Sequence, residues 1–292
     1  MKRTAVILAV LSIALCAAAQ NSGQPAQQTP PAAGQAAPAQ GATPPVKHPP
    51  QAKTQAEFDA YNVVVKNTDP AAFEKAADDF ATKFPDSELR VLLYKAALRN
   101  YQSVNNGEKT EAMGRKVLSF DGDDPEALVM VAEVIAERTR DSDLDKDQRY
   151  DEATKMALKA TSTVDTDVNV PPGTPQDKLD AYKGLLRSNA YSIVGTIAYK
   201  KENYPVAQEN LQKSIDAYPA QLDPVVVLRL ALSLDKQQKY PEALKVANHA
   251  VEVAQAQNNA QVVTVAQRER DRLQQLTGGA PPAQPASQPP QN

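Results

Sequence analysis

Residues 191–219 read YSIVGTIAYKKENYPVAQENLQKSIDAYP. Tyr191, Val194, Gly195 and Ala198 recur there at three- and four-residue spacing, and after a polar break Tyr204, Ala207, Leu211 and Ser214 do so again. This is the period of one helical face, so the stretch predicts two short helices in succession, with Pro219 closing the second. The pattern returns as Val227, Leu230, Ala231 and Leu234, then Tyr240, Ala243, Ala247 and Ala250, and Tyr204-Pro205 is matched by Tyr240-Pro241. One helix pair cannot bury its own apolar stripe, whereas a row of such pairs buries it by stacking.

These residues resemble the tetratricopeptide repeat, whose spacing of Leu/Gly/Tyr, Ala and Pro positions they follow. The resemblance implies an all-α, right-handed superhelical solenoid of about five helix hairpins plus a C-terminal capping helix, with disordered tails. It also implies a non-catalytic protein-interaction scaffold that binds a partner protein or peptide in a concave groove. A second likeness is local: Phe80-Ala81-Thr82-Lys83-Phe84-Pro85-Asp86-Ser87 looks like the divergent repeats of envelope lipoproteins of the outer-membrane barrel-assembly type. It implies the alternative of a structural subunit in an envelope assembly.

Working outward, both ends change character. Lys2-Arg3 precede an apolar run from Ala5 to Leu15, and Ala17-Ala18-Ala19 follow, so residues 1–19 predict a secretory signal peptide. The run is shorter than the roughly 20 residues needed to cross a bilayer, so no membrane span is expected after cleavage. Export puts the mature chain in the periplasm, with further secretion or outer-membrane association as the alternatives. Cys16 is the only cysteine; lipid attachment there remains open, although Leu15 stands where a lipoprotein signal has a small residue. Cleavage after Ala19 leaves no cysteine, and stability then rests on helix packing.

Residues 20–53 are almost all Gln, Ala, Pro, Gly, Thr and Asn, with Val46 the one larger aliphatic side chain. Such a segment buries too little apolar surface to offset ordering, and it predicts a disordered linker. Residues 278–292 repeat the composition and predict a disordered tail. The folded domain is therefore expected over residues 54–277.

Within it, Thr54-Gln55-Ala56-Glu57 is a capping box ahead of Phe58, Tyr61 and Val65, and Asp69-Pro70 and Asp124-Pro125 are strong helix starts. Ala112, Met113 and Val117 predict the inner face of a helix over 110–120. Insertions are expected at 140–149 and 161–173. A long helix then runs to Lys200, with Gly184 as its weak point. Val262, Val265, Leu273 and Leu276 mark a terminal cap. Ala153, Ala207 and Ala243 supply the small residues that close helix crossings need.

Charge excludes some partners. The net charge is −3, falling to −5 when Lys2 and Arg3 leave with the signal, and no basic stripe is present, so nucleic acid is not expected to bind. Catalytic signatures and cofactor-binding motifs are missing, so no cofactor is expected. His48 and His249 have no nucleophile or metal partner in sequence, and Ser233-Leu234-Asp235-Lys236 matches Ser-x-x-Lys without its companion motifs. Asp141, Asp143, Asp145, Asp147 and Glu152 fall at positions 1, 3, 5, 7 and 12 of a calcium loop, but Lys146 stands where that loop needs Gly. They remain candidate metal ligands, and a solvated acidic loop is the plainer reading.

The tetratricopeptide resemblance implies that the first helix of each pair lines the groove. Carried onto matching positions, that face comprises Asn189, Ser192, Thr196, Tyr199 and Lys200, then Leu228, Leu232, Asp235 and Lys236, with Glu126, Val129, Glu133 and Glu137 from an earlier pair.

Overall fold

The computed structural model describes residues 50–171 and 173–278. The expected signal peptide, most of the expected Pro-rich linker and all but the first residue of the expected C-terminal tail lie outside the described residues. Eleven helices and no strand occur among those described. They are α1 (Gln55–Val64), α2 (Pro70–Lys83), α3 (Leu89–Ser103), α4 (Gly107–Phe120), α5 (Pro125–Arg138), α6 (Lys146–Thr163), α7 (Gln176–Lys200), α8 (Tyr204–Ala217), α9 (Pro224–Lys236), α10 (Tyr240–Ala256) and α11 (Ala260–Leu276). Five hairpins and a terminal helix result, as the sequence predicts.

The helix starts follow local chemistry. Thr54, Asp69, Asn106, Asp124, Asn203, Asp223 and Asn259 each accept a backbone N–H of the first turn through the side chain, satisfying donors that the helix leaves unpaired. The ends share a device too. Asn105, Glu202, Gln238 and Asn258 adopt φ of 54–60°, and the next amide donates to a carbonyl five residues back, as Asn203 N does to Ala198 O at 2.9 Å. This left-handed C-terminal turn reverses the chain between α3 and α4, α7 and α8, α9 and α10, and α10 and α11. A side chain other than Gly occupies that conformation each time, so the turn is specified by packing on either side of it.

Each helix packs on its sequence neighbour, and the odd-numbered helices also meet one another: α1 with α3, α5 with α7, α7 with α9, α9 with α11. The molecule is thus a row of hairpins with an odd-helix layer and an even-helix layer, and the core runs between them. Ala153, Ala207 and Ala243 are fully buried on the even helices, as the crossing geometry requires. Gly195 in α7 and Gly114 in α4 allow still closer approach: a Cβ on Gly195 would lie 2.7 Å from Leu211 Cγ, and one on Gly114 would lie 2.3 Å from Val131 Cγ2.

Several expectations need correction. Gly184 does not break α7, which is continuous over 25 residues; its missing side chain instead admits the end of α8, where Ala217 O would lie 3.0 Å from a Cβ. Ala112 is exposed, because Met113, Gly114 and Val117 form the buried face of α4. Val64 takes the buried place expected of Val65. In α11 the buried residues are Ala266, Glu269 and Leu273, whereas Val265 and Leu276 are exposed. The insertion ahead of α6 is shorter than expected, since α6 begins at Lys146.

The close crossing at Gly195 yields a direct test. Gly195→Ala drives a methyl group against Leu211, including its backbone nitrogen at 3.0 Å, and is expected to cost about 1–3 kcal/mol in urea unfolding. Gly122→Ala, where the nearest atom is 3.6 Å away, is expected to be neutral or to stabilise by up to about 1 kcal/mol. Equal effects at the two sites would contradict the packing described.

Candidate functional site

Successive odd helices are joined by polar side chains as well as by apolar packing. Buried Glu57 of α1 accepts a hydrogen bond from Ser87, two residues before α3. Lys95 and Arg99 of α3 reach Asp124 and Glu126 at the start of α5. Lys200 at the end of α7 donates to Ala136 O of α5 at 2.9 Å and lies 5.2 Å above the Tyr150 ring. Arg229 of α9 donates to Thr196 Oγ1 of α7 at 2.8 Å, and Arg272 of α11 pairs with Asp235 of α9 at 2.5 Å. The even helices and the turns that lead into them have a matching outer series: Lys109 to Glu74, Arg115 to Glu152 at 2.8 Å, Lys201 to Asp151 at 3.0 Å and Lys239 to Gln208 at 2.8 Å.

Two polar centres stand out on the odd layer. In the first, Lys95 Nζ lies 2.6 Å from Asp124 and 3.3 Å from Glu126, and Arg99 grips both Glu126 oxygens at 2.5 and 2.6 Å. Lys95, Asp124 and Glu126 are buried. Burial pushes the Glu126 pKa upward, but the attraction of Lys95 and Arg99 outweighs it and holds the group down at about 2. Burial likewise opposes the charge on Lys95, and Asp124 and Glu126 overcome it, so its pKa is raised. The Tyr182 hydroxyl from α7 is buried beside this pair without a well-aligned hydrogen bond, and burial together with the Glu126 charge raises its pKa far above the usual value.

The second centre lies where α7, α9 and α11 meet. Asp235 accepts from Arg272, which also binds Glu269 at 2.9 Å, and Thr196 holds Arg229. Tyr199 packs edge-on against Tyr204 with ring centres 5.6 Å apart. Desolvation raises the Tyr199 pKa, and the charges of Glu269 and Asp235 add to the effect.

The predicted groove residues separate on this surface. Thr196, Tyr199 and Asp235 come together in the second centre. Asn189, Ser192 and Leu232 are half-buried along the same layer, and Lys236 is exposed. Lys200 is engaged with Ala136 and Tyr150 and so ties two hairpins together. Leu228 belongs to the core with Val227, Ala250, Val251 and Ala266 and offers no surface to a groove. Val129 is also core, and Glu126 is a buried ion-pair partner, while Glu133 is half-buried and Glu137 exposed. The first centre escaped the sequence reading because Lys95 and Arg99 precede their partners by 29 and 27 residues, a separation that no helical spacing rule connects.

The remaining candidates hold structural places. Glu152 is paired with Arg115, Asp143 accepts the backbone N–H of Arg140 at 2.8 Å, and Asp147 lies in the first turn of α6. Among the described residues, the group of three carboxylates within 4.8 Å of one another is Asp121, Asp123 and Asp167, outside the predicted loop. Ser233 is fully buried and donates to Arg229 O at 2.8 Å, which places its hydroxyl inside the helix ladder. His249 is on the helix surface, 3.7 Å from Glu252. His48 lies outside the described residues. No helix among the described residues is long and apolar enough to cross a membrane.

No family model and no curated protein matches the chain. Solved structures do show similarity. A protein characterised as pilF of Pseudomonas aeruginosa is 16% identical, with a TM-score of 0.46, over 77% of this chain and 96% of that one. A thermophilic tetratricopeptide-repeat protein of Thermus thermophilus is 11% identical, with a TM-score of 0.44, over 73% and 98%. PilW, described as a widely conserved type IV pilus biogenesis factor, is 16% identical, with a TM-score of 0.43, over 78% and 96%.

The charge cluster makes a stability prediction. Glu126→Gln leaves Lys95 and Arg99 short of a buried counter-charge and is expected to cost about 3–5 kcal/mol. Because the folded pKa of Glu126 lies below its unfolded value of about 4.3, its contribution is complete above that pH and drains away as pH falls toward 2. Urea titrations from pH 6 to pH 2 should show a shallower acid loss in the variant than in the parent. Parallel curves would contradict the assignment.

Proposed function

We propose that the protein is an exported, non-catalytic scaffold of a bacterial cell envelope that holds a protein or peptide partner on the exposed positions of its odd-helix layer. The observation that carries this reading is the layer itself: α7 and α9, flanked by α5 and α11, lie side by side and display Asn189, Ser192, Tyr199, Leu232, Asp235 and Lys236 at least partly exposed. Such a surface mixes hydrogen-bonding, aromatic, apolar and charged groups over several turns. It suits an extended or helical segment of another chain better than a small molecule, which needs an enclosed pocket. Export rests on Lys2-Arg3, the apolar run and Ala17-Ala18-Ala19.

Photo-cross-linking in cells tests it. A photoreactive residue is placed at Ser192 or Lys236 on the odd layer, and at Lys213 or Lys245 on exposed even-helix surface. The expected outcome is one adduct, identified by mass spectrometry, formed from both odd-layer positions and from neither even-layer position. Adducts confined to the even positions, or none at any position, would contradict the assignment of the surface.

A further inference from the structure

Among successive odd helices, α3 and α5 approach each other least closely along the backbone. The core divides at the same place. One apolar cluster gathers α1 to α4 with only Ala127 and Met130 reaching in from α5, and the next begins with Leu128, Val129 and Val131 and continues into α6 and α7. On the even side the joint is tight: Gly114 of α4 lets Val131 of α5 come so close that no side chain fits between them. On the odd side it is closed by Lys95, Arg99, Asp124 and Glu126.

We propose that this joint is a hinge, with the α4–α5 contact at Gly114 and Val131 as the pivot and the four charges as a latch that holds the first two hairpins against the other three. A close apolar contact tolerates small rotation about itself, whereas the ion pairs hold only at short range and in good alignment. Charges that separate into water also recover the hydration they lost on burial. Opening this joint therefore costs less than unstacking helices held together by apolar surface alone. The latch sets how widely the odd-helix layer opens between α3 and α5. It operates whether or not a partner binds there.

Pulsed electron paramagnetic resonance on the full chain reads the hinge. In a Cys16→Ser background, spin labels at Ala71 and Lys245 span the joint, and labels at Lys155 and Lys245 lie on one side of it; all three positions are exposed. The parent is expected to give one distance population for each pair. Glu126→Gln is expected to add a second population to the spanning pair and to leave the control pair unchanged. An unchanged spanning pair, or equal broadening of both pairs, would overturn the hinge. If Glu126→Gln loses the helical circular dichroism of the parent, Arg99→Leu takes its place, since it leaves Lys95 paired with Asp124 and Glu126. For that variant, broadening confined to the spanning pair supports the hinge and no broadening overturns it.

Discussion

Two helices approach within about 8–10 Å only where the residues between them are small, and the rest of this structure depends on that limit being met, as it is in each of the last three hairpins. Ala153, Ala207 and Ala243 meet it from the even helices, and Gly195 meets it from α7 against Leu211. Close crossing makes each hairpin flat and leaves an apolar stripe open on either side. The next hairpin covers that stripe, so the chain grows by addition and carries no central core. The buried apolar residues accordingly fall into four clusters, the first over α1 to α5, the second over α5 to α7 and the last two sharing α9 to α11.

Polar contacts then set the register in which the hairpins stack. Apolar surface is non-directional and would accept a helix rotated or slid by a residue. An ion pair such as Arg272 with Asp235, or a side chain bonded to one backbone carbonyl such as Lys200 with Ala136, does not. Rungs of this kind fall between every successive pair of odd helices. They use side chains that would otherwise face solvent on the same layer, so the surface proposed to meet a partner and the surface that aligns the hairpins are one surface. Where the rung is buried and fully ionic, between α3 and α5, alignment depends on charge more than on packing.

Much of this architecture is legible in the sequence because helix pairs are local. The spacing of Tyr204, Ala207 and Leu211 and the starts at Asp69-Pro70 and Asp124-Pro125 report on residues within two turns of each other, and the repetition at Tyr240 shows that the same local pattern recurs. The hairpin count follows from them. What escaped depends on the neighbouring hairpin. Gly184 looks like a helix breaker until the end of α8 is seen to occupy its space, and Leu228 looks like a groove residue until Val251 and Ala266 cover it. The pairing of Lys95 with Asp124 is invisible for the same reason, since local periodicity does not say which rung of one helix faces which rung of the next. The four left-handed turns at Asn105, Glu202, Gln238 and Asn258 also went unread, because two of them use residues that seldom adopt that backbone.

The central claim, that stability is passed between neighbouring hairpins and not held in one common core, is tested most directly by native-state hydrogen–deuterium exchange resolved helix by helix. A chain of nearest-neighbour units opens from its ends inward. The account therefore predicts slowest exchange in α7 to α9, which are flanked on both sides, faster exchange in α1 and α11, and a step in protection between α3 and α5. A single protection level across all eleven helices, lost in one global event, would contradict it.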